Sequence, residues 1–520
     1  MSTVKKWVLA RLPRGRAAVI VATVAFSLAA ASKVAVAQAV PMTASTIDPN
    51  GLTAVVGAPY GRAFNGESFQ FDALTSFAGY QYAAYWAQDD AAAGPERYYV
   101  AIARRKLPDG PWDVARLRDS VMKHALDKAG KPSDVHNTIS LGIAPGDGTI
   151  HIAYDHHNHP LRYRMTPPGT ATRPGETTWT AELFQAERST LDTNKPVTVV
   201  SYPSFTRTPD GGLMLTMRRG QSGDGAWWLY AYDAKTHKWT TGHQYDDGRN
   251  ATYDATTPPS AERCAYPNGW TFGPDGTLHV SYVYRENFGK GKGGNGTNHD
   301  IYYAQSPDGG RTWKNTAGDT VSSIDGKAVG GQATPKQFSL ASPGMRVVEL
   351  DQTSSLMNEQ TQAVDSRGGY HMLLWHRDPA KAKPPLRLWD RNQCSYFLYS
   401  RSPDGKWTTA ILPGPVGTRA RLGFDAADNL YAVYSVPKIP TADGGLRFDD
   451  GQLVVARATA AKQWSDWTTV ATWPGPCLGE PTIDVPRLRD DSVLSVFVQD
   501  FPTADGQATP VRVLDFDVKR

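Results

Sequence analysis

The stretch VHNTISLGIAPGDGTIHIAYDHHNHPLRYR, residues 135–164, contains five of the twelve histidines in this 520-residue chain. Two apolar β-type runs, residues 137–143 and 149–154, flank the turn PGDG at 145–148. This pattern predicts a β-hairpin. Because a hairpin returns the chain to its starting point, we expect His136 to lie beside the histidine cluster that follows the second run.

The second strand of this hairpin belongs to a repeat that runs along the chain. Seven copies of a turn and an alternating apolar run recur at intervals of about 60 to 70 residues, with one interval of roughly 90, as in repeat architectures. The copies are GYQYAAYW (79–86), GTIHIAY (148–154), GGLMLTM (211–217), GTLHVSY (276–282), GGYHMLLW (368–375), NLYAVY (429–434) and SVLSVFV (492–498).

Each copy is preceded by one β-type run and followed by others, so we count four strands in each of seven units. This predicts an all-β protein, a seven-bladed β-propeller. The seventh unit lacks its fourth strand, and we expect the run at 52–58 to cover that edge, closing the ring with N- and C-terminal strands. The long interval is assigned to an insertion at 319–357, whose composition predicts a surface loop.

An Asp box, SPDGGRTW at 306–313, matches the S-x-D-x-G-x-T-W pattern of sialidase-type propellers. We predict that its role is structural. Asp308 should accept hydrogen bonds from its own turn, and Trp313 should pack between sheets.

The first 37 residues have the pattern of a secretory signal peptide. A basic start precedes an apolar run at 17–31, which is shorter than the ~20 residues of a membrane span, and AVA at 35–37 resembles a cleavage site. We therefore predict a signal peptide at 1–37, an N-terminal segment with the closing strand at 38–59, and the propeller at 60–520. The protein is expected to be secreted or periplasmic, with no membrane attachment after cleavage.

Charge and cysteine content exclude some classes of function. Residues 1–37 hold six Lys and Arg and no acid, which leaves 49 basic against 51 acidic residues. This balance offers no basic face for nucleic acid. Three cysteines in the whole chain are too few for a disulfide scaffold.

The topology of a propeller selects candidate site residues. The innermost strand of a blade begins at the face where the second strand ends, so residues next to these points converge near the axis. They are His136, Asn137, Asp155, His156, His157 and His159 from the second unit, Tyr202, Arg218 and Arg219 from the third, Tyr266, Arg285, Glu286, Asn298, His299 and Asp300 from the fourth, and Asn358, Gln360, His376, Arg377, Arg421 and Glu480 from the rest.

This mixture of His, Tyr and Arg suits removal of a proton from the carbon beside a carboxylate. Such chemistry needs a cation for the carboxylate, a base for the proton and an acid for the leaving oxygen. Arg218 would neutralise the carboxylate. A histidine, or a tyrosine whose pKa is lowered by neighbouring arginines, would act as base and the other as acid.

Other interpretations stay open. A sialidase would need an arginine triad, a tyrosine nucleophile and a carboxylate acid/base. Another glycosidase would need two facing carboxylates, and Asp155 and Glu286 lie in different units. The cluster at 155–159 has good metal ligands, although neighbouring side chains of an extended chain point in opposite directions. A non-catalytic carbohydrate-binding propeller is a further alternative.

The chain resembles the BNR-repeat polysaccharide lyases, secreted seven-bladed propellers typified by the ulvan lyases, over residues 50–520. The matching pieces are HNTISLGI, DGTIHIAYDHHNHPLRYR, SYPSFTR, MRRGQSGDG, AYPNGWTF, YRE and NHDIYYAQSPDGGRTW. The resemblance implies β-elimination at a uronic acid residue without an organic cofactor, leaving an unsaturated sugar at the new non-reducing end.

The resemblance also implies roles for individual residues. His136 matches the first catalytic histidine of the family and His157 the second, with His156 as the alternative. Tyr202 and Arg218 match the family's tyrosine and carboxylate-neutralising arginine.

Substrate contacts are expected from Asn137, Tyr266, Arg285 and His299. The expected substrate is an anionic, ulvan-like polysaccharide of rhamnose and glucuronate, with rhamnose-capped glucuronate in plant gums or arabinogalactan as the alternative. We expect a monomer that binds no nucleic acid.

The sequence leaves open whether the protein binds a metal ion. The resemblance allows a structural zinc or calcium ion, and Cys394, His371 and His376 lie in one unit. These three residues do not make a complete set of ligands.

Overall fold

The computed structural model describes residues 40–54, 63–67, 69–70, 72–191, 193, 195–255, 259–287, 297–326, 333–437 and 451–519. The signal peptide predicted at 1–37 lies outside these residues, as does 55–58 of the predicted closing run. The described residues all belong to one unit, Ala35–Arg520.

The described chain is nearly all β, as the alternating apolar runs predict. Its strands are β1 (Met42–Gly51), β2 (Leu74–Phe77), β3 (Tyr80–Gln88), β4 (Tyr98–Lys106), β5 (Asp113–Val121), β6 (Ile139–Ile143), β7 (Ile150–Tyr154), β8 (His157–His159), β9 (Tyr163–Met165), β10 (Val200–Arg207), β11 (Leu213–Gln221), β12 (Asp224–Asp233), β13 (Lys238–Trp239), β14 (His243–Gln244), β15 (Asp246–Asp247), β16 (Arg263–Phe272), β17 (Leu278–Glu286), β18 (Asn298–Ser306), β19 (Thr312–Lys314), β20 (Thr320–Ser323), β21 (Phe338–Ser339), β22 (Arg346–Val348), β23 (Thr361–Val364), β24 (Tyr370–Arg377), β25 (Cys394–Arg401), β26 (Trp407–Leu412), β27 (Arg421–Phe424), β28 (Leu430–Pro437), β29 (Gly451–Ala458), β30 (Thr468–Ile483), β31 (Val493–Asp500) and β32 (Thr509–Asp517). One short helix, α1 (Val485–Asp491), lies between β30 and β31. No helix in the described part of the chain is long and apolar enough to cross a membrane.

Strands that follow one another in sequence pair as antiparallel neighbours within each repeat. Such runs are β2 to β5, β10 to β13, β16 to β20, β23 to β26 and β27 to β32, while β6, β7 and β9 form a three-stranded sheet. The predicted hairpin is present, with Ile139 of β6 opposite Tyr154 of β7 and Ile143 opposite Ile150.

Buried tryptophans connect one unit to the start of the next. The indole Nε1 of Trp86 in the first unit donates to the main-chain oxygen of Asn137 at 2.7 Å. Trp227 in the third unit makes the corresponding bond to the oxygen of Ala265 at 2.5 Å. The two acceptors lie just before β6 and near the start of β16, and candidate site residues lie beside both of them.

The edge of β32 is covered by a strand that lies upstream of the predicted one. β1 pairs antiparallel with β32, from Met42 opposite Phe516 to Gly51 opposite Thr509. The predicted run at 52–58 begins only after this strand ends. The reason is that most side chains of β1 are exposed, so the strand lacks the apolar alternation used to find the others.

The insertion at 319–357 is more ordered than the predicted surface loop. Its described residues include β20, β21 and β22, and β22 pairs with β18. Phe338 and Met345 are fully buried in a large aromatic core cluster. Glycine, serine and proline dominate the composition here, but a few well-spaced apolar residues are sufficient to anchor the segment.

The Asp box has the structural role predicted for it. The carboxylate of Asp308 accepts the N–H of Thr312 at 2.7 Å, and Trp313 is fully buried against Tyr245 and Phe338. The three cysteines are all buried and unpaired with each other.

A buried carboxylate joins the segment after β30 to the first repeat. Asp484 is fully buried and accepts hydrogen bonds from the Ser76 main-chain N–H at 3.0 Å, from the Ser76 hydroxyl, and from Nε2 of Gln81 at 2.8 Å. Hydrogen bonds to a charged group inside a protein are among the stronger ones. This contact therefore holds together residues about 400 positions apart.

We expect the substitution Asp484→Ala to lower the free energy of unfolding by about 3 kcal/mol or more, because three buried donors lose their acceptor. The matched control is Asp490→Ala in α1, the helix that Asp484 precedes, because the Asp490 side chain is 63% exposed, and its effect should stay within about 0.5 kcal/mol. Urea unfolding followed by fluorescence measures both values. Equal effects of the two substitutions would contradict the role assigned to Asp484.

Candidate active site

A turn after the predicted hairpin carries the histidine cluster into the neighbouring sheet. Asp155 and Asn158 both adopt left-handed backbone conformations, with φ of 67° and 66°. Asp155 directly follows β7 and Asn158 is the middle residue of β8, which pairs with β10 so that His157 lies opposite Ser201. The buried carboxylate of Asp155 fixes the turn by accepting a hydrogen bond from Arg162.

Successive side chains along this segment point in opposite directions, and this decides which histidine lies next to His136. His156 is buried, and its Nε2 accepts the main-chain N–H of Arg162 at 2.8 Å. His157 points the other way, and its side chain is 17% exposed. The structure therefore brings His157, rather than His156, to His136.

The two imidazoles are stacked and share one carboxylate. Their ring centroids are 4.3 Å apart, with an interplanar angle of 20°. Nδ1 of His136 lies 2.6 Å from Oδ1 of Asp134, and Nδ1 of His157 lies 2.6 Å from Oδ2 of the same residue. All three side chains are about one-fifth exposed, so they form part of a surface cleft.

Aromatic rings form one wall beside this pair. Phe69 stacks on His136 at 5.1 Å, and its ring lies 5.2 Å from the ring of Tyr202. Tyr202 is 6.1 Å from each imidazole, measured between ring centroids. Its backbone has a φ of 54°, a conformation that costs a bulky residue of order 1 kcal/mol or more and that must be held by its surroundings.

Arg218 lies behind Tyr202 rather than in the cleft. Its guanidinium is fully buried, with Cζ 4.8 Å from the centre of the Tyr202 ring. It donates to Tyr266 Oη at 2.8 Å, and to Asn158 Oδ1 and Ser201 Oγ, both at 2.9 Å. All three acceptors are neutral.

No carboxylate of the described residues lies within ion-pair distance of Arg218, and its buried Nε has no hydrogen-bond acceptor among them. A guanidinium that is buried without a counter-ion is costly, and a nearby anion would relieve that cost. The site therefore carries a positive field on the side of Tyr202.

Tyr266 and Arg285 extend the site along the fourth repeat. The phenol of Tyr266 donates to Ser222 Oγ at 3.1 Å while it accepts from Arg218. Cζ of Arg285 lies 5.6 Å from the Tyr266 ring, and the Arg285 side chain is partly exposed. Arg285 thus places a second positive charge near the cleft.

Glu359 is a buried acid in the same region. Its side chain is 2% exposed, its φ is 51°, and its Oε1 has no hydrogen-bond partner among the described residues. Burial raises its pKa to about 7, although Arg419 and Arg218 act in the opposite direction.

The protonation states follow from burial and from the shared carboxylate. Burial lowers the pKa of His136 to about 4, and the hydrogen bond to Asp134 opposes this only in part. Burial acts to raise the pKa of Asp134, but the hydrogen bonds from both histidines outweigh it and leave that pKa well below its usual range. At neutral pH, His136 is therefore neutral and Asp134 is a carboxylate.

Tyr202 is a neutral phenol at the same pH. Burial raises its pKa well above the usual value, and the nearby Arg218 does not compensate. The hypothesis that arginines lower the pKa of a tyrosine base is therefore wrong for Tyr202, because it neglected the loss of hydration.

Two predicted substrate contacts are not in the cleft. Asn137 is fully buried and donates from Nδ2 to the main-chain oxygen of Asp134 at 3.0 Å. His299 is fully buried between Glu286, at 2.9 Å from Nε2, and Asp300, at 3.1 Å from Nδ1. Both side chains are bonded within the protein, which leaves them no surface for a substrate.

The two carboxylates considered for a hydrolase each form an ion pair with an arginine. Asp155 pairs with Arg162 and Glu286 with Arg263, and both acids are fully buried. Neither carboxylate faces the pair of histidines, so no acid and base of a glycosidase are formed from them.

The described residues contain one group that could hold a metal ion, namely Asp134, His136 and His157. Both Nδ1 atoms are already bonded to the carboxylate, so an ion bound between them would have to break both hydrogen bonds. At Nδ1 the arrangement is that of a hydrogen-bonded pair, and an ion would leave these bonds intact only if it were bound by Nε2.

The three possible metal ligands named in the sequence analysis, Cys394, His371 and His376, are each bonded to other groups. Nδ1 of His371 bonds to Ser400, Nε2 of His376 to Tyr399, and Sγ of Cys394 to the main-chain oxygen of Asp390.

Several site residues escaped the sequence analysis. Asp134 could have been found, since it lies two residues before His136 and side chains at that spacing share a face of an extended chain. Glu359 lies between two residues that the convergence rule selected, Asn358 and Gln360. Phe69 carries no local signal, because only the closure of the fold brings it to His136.

Similarity to known proteins identifies the family to which this site belongs. The profile of the BNR repeat-containing family matches residues 80–413. A curated ulvan lyase, long isoform, from Alteromonas sp. is 26% identical over 354 residues, which cover 60% of this chain and 32% of the relative. A short isoform from Alteromonas sp. strain LOR is 30% identical over 223 residues, covering 36% of this chain and 40% of the relative. The chain thus matches about a third of the length of these relatives.

Two solved structures resemble this one in fold. The polysaccharide lyase Uly1 superposes with a TM-score of 0.66 at 16% identity, covering 93% of this chain and 100% of Uly1. An ulvan lyase of family PL25 gives a TM-score of 0.59 at 14% identity, covering 90% of this chain and 94% of that structure. Because the family profile spans well over half of the sequence, this chain belongs to the BNR repeat-containing family.

Proposed function

We propose that this protein is a polysaccharide lyase that cleaves a uronic-acid-containing polysaccharide by β-elimination. The observation that carries the proposal is a stacked histidine pair that shares one carboxylate, set beside a neutral tyrosine and a buried arginine that donates only to neutral oxygens. These groups supply the base, the acid and the positive field that the reaction needs.

The positive field is the first requirement. Removing the proton at C5 of a uronic acid places negative charge on its carboxylate, and a cation stabilises that charge. Arg218 would act from beneath Tyr202, at 4.8 Å from the ring, and Arg285 from beside Tyr266. In a site of low dielectric such charges act strongly over short distances.

The proton transfers follow from the protonation states. His136 is neutral and would accept the C5 proton on Nε2, while the C4–O4 bond breaks and a C4–C5 double bond forms. Tyr202 is a phenol and would donate its proton to the departing O4. Tyr202 then regains a proton and His136 loses one to solvent, so the protein returns to its starting state.

The substrate we propose is ulvan or a related polymer of rhamnose and glucuronate. The curated relatives are named ulvan lyases, and the PL25 structure is described as bound to glucuronate linked to sulfated rhamnose. Glucuronate at the end of plant gum side chains would satisfy the same site and is the alternative. We further propose that the protein is exported and acts as a monomer.

We also propose that the repeats are the seven blades of a β-propeller. The second half of β30 pairs with β31, which pairs with β32, and β32 pairs with β1. β1 would thus be the outermost strand of the seventh blade, and the two ends of the chain would close the ring.

The proposal is tested by incubating the full chain with ulvan, glucuronan and gum arabic. We expect ultraviolet-absorbing unsaturated products from at least one, with masses equal to those of the hydrolysis products less one water. New reducing ends without that absorbance would indicate a hydrolase instead. Binding without any cleavage would indicate a carbohydrate-binding propeller.

We expect His136→Ala to lower kcat by about 10²-fold or more, the usual contribution of a general base. His157→Ala should lower kcat as well, because His157 stacks on His136 and shares the carboxylate of Asp134 with it. His237→Ala is the matched control, because His237 is an exposed histidine that bonds to Asp147 instead of Asp134. Initial rates of absorbance increase measure the effect. A His136→Ala variant with the wild-type rate would exclude His136 as the base.

The rate should also depend on pH in a defined way. A base must be neutral, so kcat/KM should stay high at neutral pH and fall as the pH drops through about 4, the pKa of His136. Tyr202 should add no loss below pH ~10, since its pKa is raised above the usual value. An acidic midpoint near 6.5 would contradict the assignment of His136 as the base.

Arg218→Lys should lower kcat/KM by about 10²-fold, because lysine cannot reproduce the fork of donors that places the charge behind Tyr202. Arg219→Lys is the control, since Arg219 follows on the same strand but lies over Trp228 instead. Rates on one substrate, compared with urea unfolding, separate catalysis from stability. Equal losses in both variants would contradict the role of Arg218.

A further inference from the structure

We propose that Asp134 is a positioning residue that holds both His136 and His157 with the proton on Nδ1, so that Nε2 is the proton-accepting atom of each ring. The role of Asp134 in turnover rests on the proposed lyase function. The protonation pattern of the two rings is independent of that function.

The hydrogen-bond geometry requires this pattern. An ionised carboxylate can only accept hydrogen bonds. Each Nδ1 lies 2.6 Å from a different oxygen of Asp134, so both Nδ1 atoms must be donors. A neutral imidazole has one N–H, and its lone pair is therefore on Nε2 in both rings.

The carboxylate is itself fixed by the loop that carries it. Oδ1 also accepts the main-chain N–H of His136 at 3.2 Å, and the main-chain oxygen of Asp134 accepts Nδ2 of Asn137 at 3.0 Å. Asn137 is in turn held by the indole of Trp86. Asp134 therefore cannot turn toward one ring without losing contacts that the loop depends on.

One carboxylate serving two rings limits the pair to a single added proton. The ring centroids are 4.3 Å apart, so two imidazolium ions would repel each other strongly. When one Nε2 forms a bond to the substrate proton and the C–H bond breaks, Asp134 stabilises the resulting imidazolium. The other ring then stays neutral and keeps its orientation.

The test uses full-length protein labelled with 15N in histidine, together with the variants Asp134→Asn and Asp127→Asn. Asp127 lies on the same loop and is exposed, and within the described part of the chain its carboxylate accepts only the main-chain N–H groups of Ala129 and Lys131, so it is a matched control. Signals are assigned with His136→Gln and His157→Gln, and proton–nitrogen correlation spectra report which nitrogen carries the proton.

In wild type and Asp127→Asn we expect both rings to carry the proton on Nδ1. In Asp134→Asn the side-chain amide donates to one ring, which should therefore switch its proton to Nε2. A wild-type spectrum with the proton on Nε2 of either ring would overturn the proposal. So would signals that change when a chelator is added, since these would indicate a bound metal ion.

The same proteins are then compared in an assay of lyase activity. We expect Asp134→Asn to lower kcat by about 10²-fold or more with a small change in KM, because a misplaced ring proton removes the base without removing binding. Asp127→Asn should keep the wild-type kcat, and unchanged kcat in Asp134→Asn would overturn the catalytic part. If no substrate is cleaved by wild type, the lyase proposal fails, while the spectra still decide the protonation pattern.

Discussion

The pairing of β8 with β10 is the constraint on which the candidate site depends. β8 follows a strand of one sheet but forms its hydrogen bonds with the next, and the chain turns there through left-handed conformations at Asp155, before β8, and at Asn158, within it. Asparagine and aspartate tolerate this conformation better than most residues. A three-residue strand thus brings His157 from the second repeat next to Ser201 and Tyr202 from the third.

The electrostatics of the site follow from burial more than from charge pairing. Arg218 donates only to neutral oxygens, whereas Asp134 is bonded to two imidazole rings. The positive and negative groups are thereby kept apart instead of cancelling in an ion pair. Such separation maintains a field across the cleft, which is useful when charge develops on a bound anion.

The all-β class and the grouping of the main site candidates in one place could be predicted from sequence because they depend on local patterns. Alternating apolar runs gave the strands, and the convergence of strand ends gave His136, Tyr202 and Arg218. The strand β1 could not be predicted in its place, because an exposed edge strand has no apolar period. His299 was assigned to the site because the rule locates a backbone position but does not report that Glu286 and Asp300 already bind the ring.

The pairing of β1 with β32 has a consequence for how the chain folds. The two strands are separated by more than 450 residues, so their contact has a very high sequence separation and cannot form until the last repeat has been synthesised. Until then, the backbone edge of β1 that β32 will occupy is open to pairing with other chains. During synthesis the first described strand of this chain is therefore the one most exposed to wrong partners.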